Sequence, residues 1–427
     1  MICILQVIIK FRNTLPNKPC FPEYITMTDK HRILYIVSTF CRYEGEMQNP
    51  WMLDNLRRLR DRGYKVDILA PSYQGLKTHD IEGFKVYRFR YFFKKWESLT
   101  HDQGAPNKIR NSKLYKFMFF PYVLLGMIAA FRLGLKNKYD FVQCHWPFPQ
   151  GIMGLACIMA KRKAKPTFVL HFYGASLLLA QTYSYVKTVL HYLIRKADLI
   201  VCISEFTSRK VKDIKDTTTH IIPYGSPLEY KPVALPNNST KQILSVGRII
   251  ERKGLKYLIQ AMPEILEKCD AILNIVGSGD PPVISDLKLE IQKLNLDKRV
   301  ILTGKLSNEA LIQKYKRCDV FCLPAIIDSK GDTEGLGVVI LEALNYGRPV
   351  VSSNVGGITD IIKHEHTGLL TEQKNPIDLS EKLLTILLDS DKASKLAKQG
   401  CEYAKSQFSW EKIMDQWDDF YTQNNEG

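Results

Sequence analysis

Apolar and polar positions follow two rhythms along this chain. Short uninterrupted apolar runs rich in β-branched residues alternate with longer stretches of 3.6-residue apolar period. In the first half the runs are ILYIV (33–37), VDILA (66–70), FVQC (141–144), TFVLH (167–171), LIVCIS (199–204) and HIIPYG (220–225). In the second half they are ILSVG (243–247), AILNIVG (271–277), VILTG (300–304), VFCLPA (320–325) and PVVSSN (349–354). Strands that are apolar on both faces belong to parallel sheets covered by helices. The intervening stretches supply those helices. Leu53, Leu56 and Leu59 share a face between Pro50 and Gly63, and Leu255, Leu258, Ile259, Met262, Ile265 and Leu266 form a stripe after Gly254.

Between the halves, SPLEYKPVALPNNSTKQ (226–242) carries three prolines and no helical period, which marks a linker. The expected architecture is α/β: an N-terminal extension (1–29), a doubly wound domain (30–228), a linker (229–241), a second doubly wound domain (242–407) and a terminal segment (408–427). Trp410, Met414, Trp417 and Tyr421 recur at helical spacing in that last segment, so it is expected to pack back on the body as an amphipathic helix. Ligands in doubly wound sheets sit beyond the carboxyl ends of the strands, so the natural site is the cleft between the two domains.

Composition is that of a globular protein, with 45% hydrophobic and 24% charged residues. The net charge of +16 favours anionic partners without choosing among nucleic acid, phosphorylated ligands and anionic lipid. Residues 85–116 concentrate that charge, with nine Lys or Arg, two Asp or Glu, and interleaved aromatics. The ten cysteines contain no C-x-x-C pair and predict buried free thiols in a reducing compartment. The first residues, MICILQVIIKFRNTLPNK, lack the features of a cleavable signal peptide and are expected to be a dispensable leader. The longest apolar run, 117–131, has 15 residues, short of the roughly 20 that span a bilayer.

Candidate chemistry centres on EGLGVVILE (334–342). Gly335 and Gly337 disfavour helix, so Glu334 is expected in a loop, with Glu342 just over one turn inside the helix that follows. Two carboxylates flanking a helix N-terminus suit a ligand with hydroxyls at both ends and phosphate between, as in a sugar nucleotide. Alone, the spacing fits a capping glutamate and a solvated helix glutamate equally well. GRIIERKG (247–254) follows a strand and opens a helix, placing Arg248 and Lys253 where a diphosphate would lie; two solvated loop cations are the alternative.

Together, GR-x4-KG and the later E-x7-E resemble the retaining glycosyltransferases of family 4, which have the GT-B fold. DFVQCHWPFPQG (140–151), HFYG (171–174), ADLIVCIS (197–204), IIPYG (221–225), IVGSG (275–279) and GRPVVSSNVGG (347–357) fall in that family's order, over roughly residues 31–421. The resemblance implies that Arg248 and Lys253 bind a donor diphosphate. Glu334 would hold the donor sugar with the amides of Gly335, Leu336 and Gly337, and Glu342 would take the ribose hydroxyls. His171 would be the cleft histidine near the reacting centre. Gly45 would approach the diphosphate, Gly247 and Gly277 would line the donor pocket, and the loop through Leu306 would meet the base. Ser176, Tyr224 and Asp360 depart from the residues common at their positions.

HEH (364–366) is expected to be a surface turn, IVGSGDPP lacks the third glycine of a dinucleotide fingerprint, and no metal or other cofactor is expected. The expected activity is retaining transfer of a hexose from a nucleotide-diphosphate donor to an acceptor hydroxyl. The expected acceptor is a glycan or glycolipid in cell-surface polysaccharide synthesis. The basic-aromatic region, the apolar run and KRKAK (161–165) suggest a cytoplasmic protein in peripheral contact with anionic membrane; a core helix with solvated cations explains them equally well. A sugar-nucleotide epimerase or a phosphorylase is the alternative within the fold. A nucleic-acid-binding protein is suggested by charge alone, and no nucleic-acid partner is expected.

Overall fold

The computed structural model describes residues 30–46, 50–101, 108–109, 112–161 and 164–424; the expected extension 1–29 lies outside them. The chain forms two sheets. The first contains β1 (Arg32–Ile36), β2 (Lys65–Pro71), β3 (His79–Ile81), β4 (Phe84–Phe89), β5 (Phe141–His145), β6 (Thr167–Phe172), β7 (Leu199–Cys202) and β8 (His220–Ile221). Their order is β3-β4-β2-β1-β5-β6-β7-β8. The second contains β9 (Lys241–Val246), β10 (Ala271–Val276), β11 (Val300–Gly304), β12 (Val320–Leu323), β13 (Val350–Ser353) and β14 (Leu369–Thr371), in the order β11-β10-β9-β12-β13-β14. Strand order reverses between β1 and β5 and between β9 and β12, and each reversal opens a crevice at the strand ends. The core strands are buried on both faces because helices cover both sides.

The pairs are parallel except β3 with β4, which are antiparallel. This hairpin is absent from the expected strands. Its turn uses Glu82 and Gly83, both at positive φ, and it lacks the Asn-Gly or Asp-Gly signal. Lys85, Arg88 and Arg90 made β4 and its flank look like a charged surface, but Arg88 turns inward and donates to the carbonyls of Pro71, Phe40 and Cys41. The apolar run 117–131 is also longer than it looked: it belongs to a 24-residue helix, Lys113–Lys136. By length and composition that helix could cross a bilayer, yet a third of its most apolar window is buried against the protein.

The chain crosses between the domains twice. Residues 222–240 run without helix or strand from β8 to β9, and the chain returns into the helix Trp410–Gln423. That helix lays Ile413, Met414, Trp417, Phe420 and Tyr421 against β1, β5 and β6 of the first domain. Tyr421 donates to Gln143 Oε1 at 2.7 Å, and Asp418 accepts from Tyr64 at 2.6 Å. The two crossings touch: Trp410 Nε1 donates to the Ser226 carbonyl, and a Cβ on Gly225 would lie 2.8 Å from the indole.

Arg348 anchors the first crossing from below. It is fully buried and donates to the carbonyls of Val233, Ala234, Tyr346 and Cys318. Burial lowers its pKa, with the nearby Asp319 charge opposing, and its hydrogen bonds go to carbonyls. Arg348→Ala strands several buried carbonyls at roughly 1–3 kcal/mol each. We predict a loss of at least about 3 kcal/mol of unfolding free energy in urea; a change within about 0.5 kcal/mol, as at a neutral surface site, would show the linker is held by something else.

Candidate functional site

The site forms where β9 and β12 diverge. Gly247, at the end of β9, has φ +145°, and a Cβ on Gly277 would lie 1.9 Å from its carbonyl oxygen, so the ends of β9 and β10 meet only because both residues are glycine. A short 3-10 turn, Glu251–Lys253, follows. Gly254 closes it at φ +63°, where a Cβ would sit 1.9 Å from the Pro324 carbonyl oxygen. The turn is thereby pressed against the end of β12, with the Lys253 side chain running beside Gly247.

Glu334 reaches the same point from the other side. Its backbone packs on Gly356 and Gly357, and Gly357 donates its amide to the Glu334 carbonyl at 2.9 Å. The Glu334 carboxylate accepts from Lys253 Nζ at 2.6 Å and from Arg252 at 2.8 Å. The side chains of Lys253 and Glu334 are only 9% and 12% exposed. Burial alone would raise the Glu334 pKa, but the two cations outweigh it and hold the carboxyl at about 2. Arg252 also pairs with Asp332 at 3.3 Å. Arg248 is exposed and has no carboxylate partner among the described residues. Its charge reaches Lys253, whose own reaches Glu342.

Gly337, at φ +91°, starts the helix Val338–Asn345 and offers no side-chain cap. Ile340 donates back to the Gly337 carbonyl at 2.8 Å, and the amides of Val338 and Val339 ahead of it are left at the positive end of the helix, beside Glu334. Leu336 is buried beneath them. Glu342 sits one turn in, buried, and accepts from the Tyr315 hydroxyl at 2.7 Å. Burial pushes its pKa up to about 7, with the Tyr315 bond and the Lys253 charge opposing. Two carboxylates eight residues apart thus occupy opposite regimes, one pinned as an anion and one poised near neutrality.

The first domain approaches at Gly335, where a Cβ would lie 3.1 Å from the Tyr173 carbonyl oxygen. Tyr173 stands in an aromatic cluster: its ring centroid is 5.1 Å from Trp51, 5.0 Å from Trp146 and 4.4 Å from His171. Trp51 also meets Tyr224 at 4.7 Å.

His171 departs from expectation. It is 4% exposed, beneath Tyr173 rather than on the cleft surface. Its Nδ1 bonds the Tyr173 hydroxyl at 3.0 Å and the Gln143 amide at 3.2 Å, and its Nε2 has no hydrogen-bond partner among the described residues. Burial, aided by His145, drives its pKa well below the ordinary value, so the ring is neutral. Tyr173, one residue past β6, turns its hydroxyl inward to His145 Nδ1 at 2.8 Å as well as to His171, and it is its carbonyl that meets Gly335 of the second domain.

The structure brings together Gly247, Lys253, Gly277, Glu334, Gly335, Leu336, Gly337 and Glu342, with Arg248 at the rim. Gly45 lies in the exposed loop after β1, at φ +83° with open space on its side. Leu306, beyond β11, is half-buried against the second domain's core. Sequence reasoning missed Arg252, Asp332 and Tyr173. Only the turn at 251–253 reveals that adjacent Arg252 and Lys253 converge on one carboxylate. The three departures have local roles. Asp360 accepts from the Glu205 amide across the domains at 2.6 Å, Ser176 accepts from Phe148, and Tyr224 extends the aromatic cluster. In the HEH turn, His364 accepts from the Leu370 amide.

Two family models match in tandem: Glycosyltransferase Family 4 over residues 51–230 and Glycosyl transferases group 1 over residues 228–403. The chain is a family 4-like glycosyltransferase. It is 26% identical over 364 residues to an uncharacterized glycosyltransferase of Methanocaldococcus jannaschii, covering 82% of this chain and 96% of that one. It is 31% identical over 180 residues to a GDP-mannose-dependent alpha-(1-6)-phosphatidylinositol monomannoside mannosyltransferase of Mycobacterium tuberculosis, covering 42% of this chain and 46% of that one. The sucrose-phosphate synthase of Thermosynechococcus elongatus superposes with a TM-score of 0.73 at 22% identity, over 92% of this chain and 99% of that one. The fold of this glycosyltransferase is therefore GT-B.

The two carboxylates predict opposite pH signatures. Glu342 has a folded pKa above its unfolded value, so its stabilising contribution is complete below about pH 4.5 and lost as pH rises through about 7. Glu334 has the reverse sign: its contribution is present above about pH 4.5 and lost as pH falls toward 2. Glu342→Gln is expected to flatten the decline in unfolding free energy between about pH 5 and 8, by at most about 3 kcal/mol. Urea titrations across that window check this; an unaltered slope would show that Glu342 is ionised throughout.

Proposed function

We propose that this glycosyltransferase moves a hexose from a nucleotide-diphosphate donor to the hydroxyl of a lipid-linked glycan, with retention of anomeric configuration. The observation that carries the reading is the enclosed Lys253–Glu334 pair at the strand-order reversal, beside uncapped helix amides and the unpartnered Arg248. In this reading Arg248, Lys253 and the first amides of the helix Val338–Asn345 hold the diphosphate. Glu334 accepts from hydroxyls of the transferred sugar. Arg252 positions Glu334, so that Lys253 can turn toward phosphate without leaving a buried carboxylate unpaired. Glu342, with Tyr315 behind it, accepts from the ribose hydroxyls. Gly45 and the loop through Leu306 border the donor at its diphosphate and base.

As the bond from the anomeric carbon to the diphosphate breaks, negative charge grows on the departing oxygen. Arg248, Lys253 and the preorganised amides stabilise that charge. The departing oxygen takes the proton of the acceptor hydroxyl, whose oxygen bonds the anomeric carbon on the same face. No protein nucleophile is required, which accords with the enclosure of His171. The acceptor side falls to the first domain. The mycobacterial relative's name specifies a GDP-mannose donor and a phosphatidylinositol-linked acceptor, which supports a hexose donor and a lipid-linked acceptor here. A role in cell-surface polysaccharide synthesis and a place on the cytoplasmic face of the membrane complete the reading.

A thermal-shift panel of UDP-, GDP- and ADP-sugars is expected to raise the melting temperature for one base class, by the amount that binding to the native state alone dictates. No shift with any of them at millimolar concentration would sink the donor assignment. Lys253→Ala is expected to lower kcat/KM by at least about 100-fold, near 3 kcal/mol, while melting within a few degrees of the parent because Arg252 still neutralises Glu334. Glu334→Gln should cost similar activity and also destabilise, since Lys253 and Arg252 would then lie together without their shared carboxylate. Undiminished turnover in either variant removes that residue from the mechanism. Donor consumption without acceptor would favour an epimerase.

A further inference from the structure

The helix Lys113–Lys136 has two apolar faces, and the body covers only one. Met118, Tyr122, Gly126, Ala130 and Leu133 face inward. The contact is tight: a Cβ on Gly126 would lie 2.5 Å from Met153, and one on Gly134 would lie 2.4 Å from the Cys157 carbonyl oxygen. The helix is therefore seated on the helix Pro147–Met159 and cannot leave to span a bilayer without losing that fit. The opposite face is open. Phe117, Phe120, Leu124, Ile128, Phe131 and Leu135 are all exposed, with Phe117 at 66% and Phe120 at 72%. At 3.6 residues per turn they fall within an arc of roughly 80°, a stripe about 27 Å long over most of the helix. Phe93, 73% exposed, and Trp96 extend it at one end, linked through the Phe92 ring beside Phe117. An apolar patch of this size on a folded surface marks a binding face.

Its charge selects the occupant. The helix carries Lys113, Lys116, Arg132 and Lys136 and no Asp or Glu. Arg132 and Lys136 have no carboxylate partner among the described residues. They line a groove of about 500 Å³ between the helix and β4, together with Arg90, Tyr87, Leu125 and Ile128. Lys94 and Lys95 add charge beside Trp96. Apolar side chains in a line, cations at both ends and an aromatic fringe are the features of a helix lying in the plane of an anionic membrane surface. We propose that the outer face of Lys113–Lys136 is a membrane-docking surface. Its aromatic and aliphatic stripe enters the acyl boundary of an anionic leaflet, and the Arg132–Lys136 groove receives lipid phosphates. This deepens the membrane side of the function proposed above and is independent of the donor residues.

The test is flotation of the full chain with vesicles of phosphatidylcholine, with and without phosphatidylglycerol, at low and high salt. The parent is expected to float with anionic vesicles and at least tenfold less with neutral ones or at high salt. Phe117→Glu/Phe120→Glu and Arg132→Glu/Lys136→Glu are each expected to lower that binding at least tenfold. All four side chains point to solvent, so the variants should keep the parent melting temperature and the same thermal shift with nucleotide sugar. Lost vesicle binding with an intact donor shift supports the docking face. Vesicle binding equal to the parent in the phenylalanine variant, or no flotation of the parent, overturns it even if transfer to a soluble acceptor stands. A concentration-dependent dimer abolished by Phe120→Glu, with no vesicle binding, would assign the face to a second copy instead.

Discussion

The site depends on one enclosed carboxylate that two cations share. Glu334 is removed from water on a glycine-bordered loop, and the charges of Lys253 at 2.6 Å and Arg252 at 2.8 Å offset that cost. Those cations arrive on the turn after β9, while Glu334 arrives on the loop leading from β12 to the helix Val338–Asn345. The ion pair therefore ties together the two sides of the crevice where strand order reverses. It also keeps a positive charge and an acceptor oxygen in place before any ligand binds. Preorganisation of this kind lowers the cost of meeting a charged, hydroxyl-rich substrate.

The glycines around this pair act by what they lack. Gly254, Gly277, Gly356 and Gly357 each bring a backbone to a distance that a Cβ would block. The second domain thereby turns a bare strand end into an enclosed polar site. The first domain closes the other side with aromatic rings centred on Tyr173, and the domains meet at Gly335. Their relative position is held by the double crossing of the chain, where Trp410 covers Gly225 and Arg348 grips the linker carbonyls. A two-domain enzyme needs such a joint to be firm in place yet narrow, so that closure over a ligand changes few contacts.

The first domain faces outward differently. Its long helix satisfies the core with one face and leaves a second apolar face bare, flanked by Arg132 and Lys136, which have no carboxylate partner among the described residues. Charge concentrated there explains most of the local basicity noticed in residues 85–116, while Arg88 within the same stretch is structural. One compositional signal thus divides into a buried scaffold role and a surface role, and only side-chain direction separates them.

Much was legible from sequence because parallel α/β sheets write themselves in uninterrupted apolar strands, and β1, β2, β5 to β7 and β9 to β13 fell where those runs predicted. Glu334 and Glu342, and Arg248 and Lys253, could be picked out together because both pairs flank helix starts, a local property, and the fold brings them to one crevice. The β3–β4 hairpin escaped because its strands are short and charged and its turn lacks the usual residue pair. Contacts across long sequence distances were out of reach of any local pattern. Among them are Arg252 claiming Glu334 from 82 positions away, His171 sinking beneath Tyr173, and Glu342 drawn toward neutrality by its burial against Tyr315. Periodicity and backbone preference act within a few residues, so sequence alone determined which elements form and which chemistry they carry. Burial and charge pairing arise only when distant segments meet, so the tertiary structure decided which of those groups face the cleft and in what protonation state.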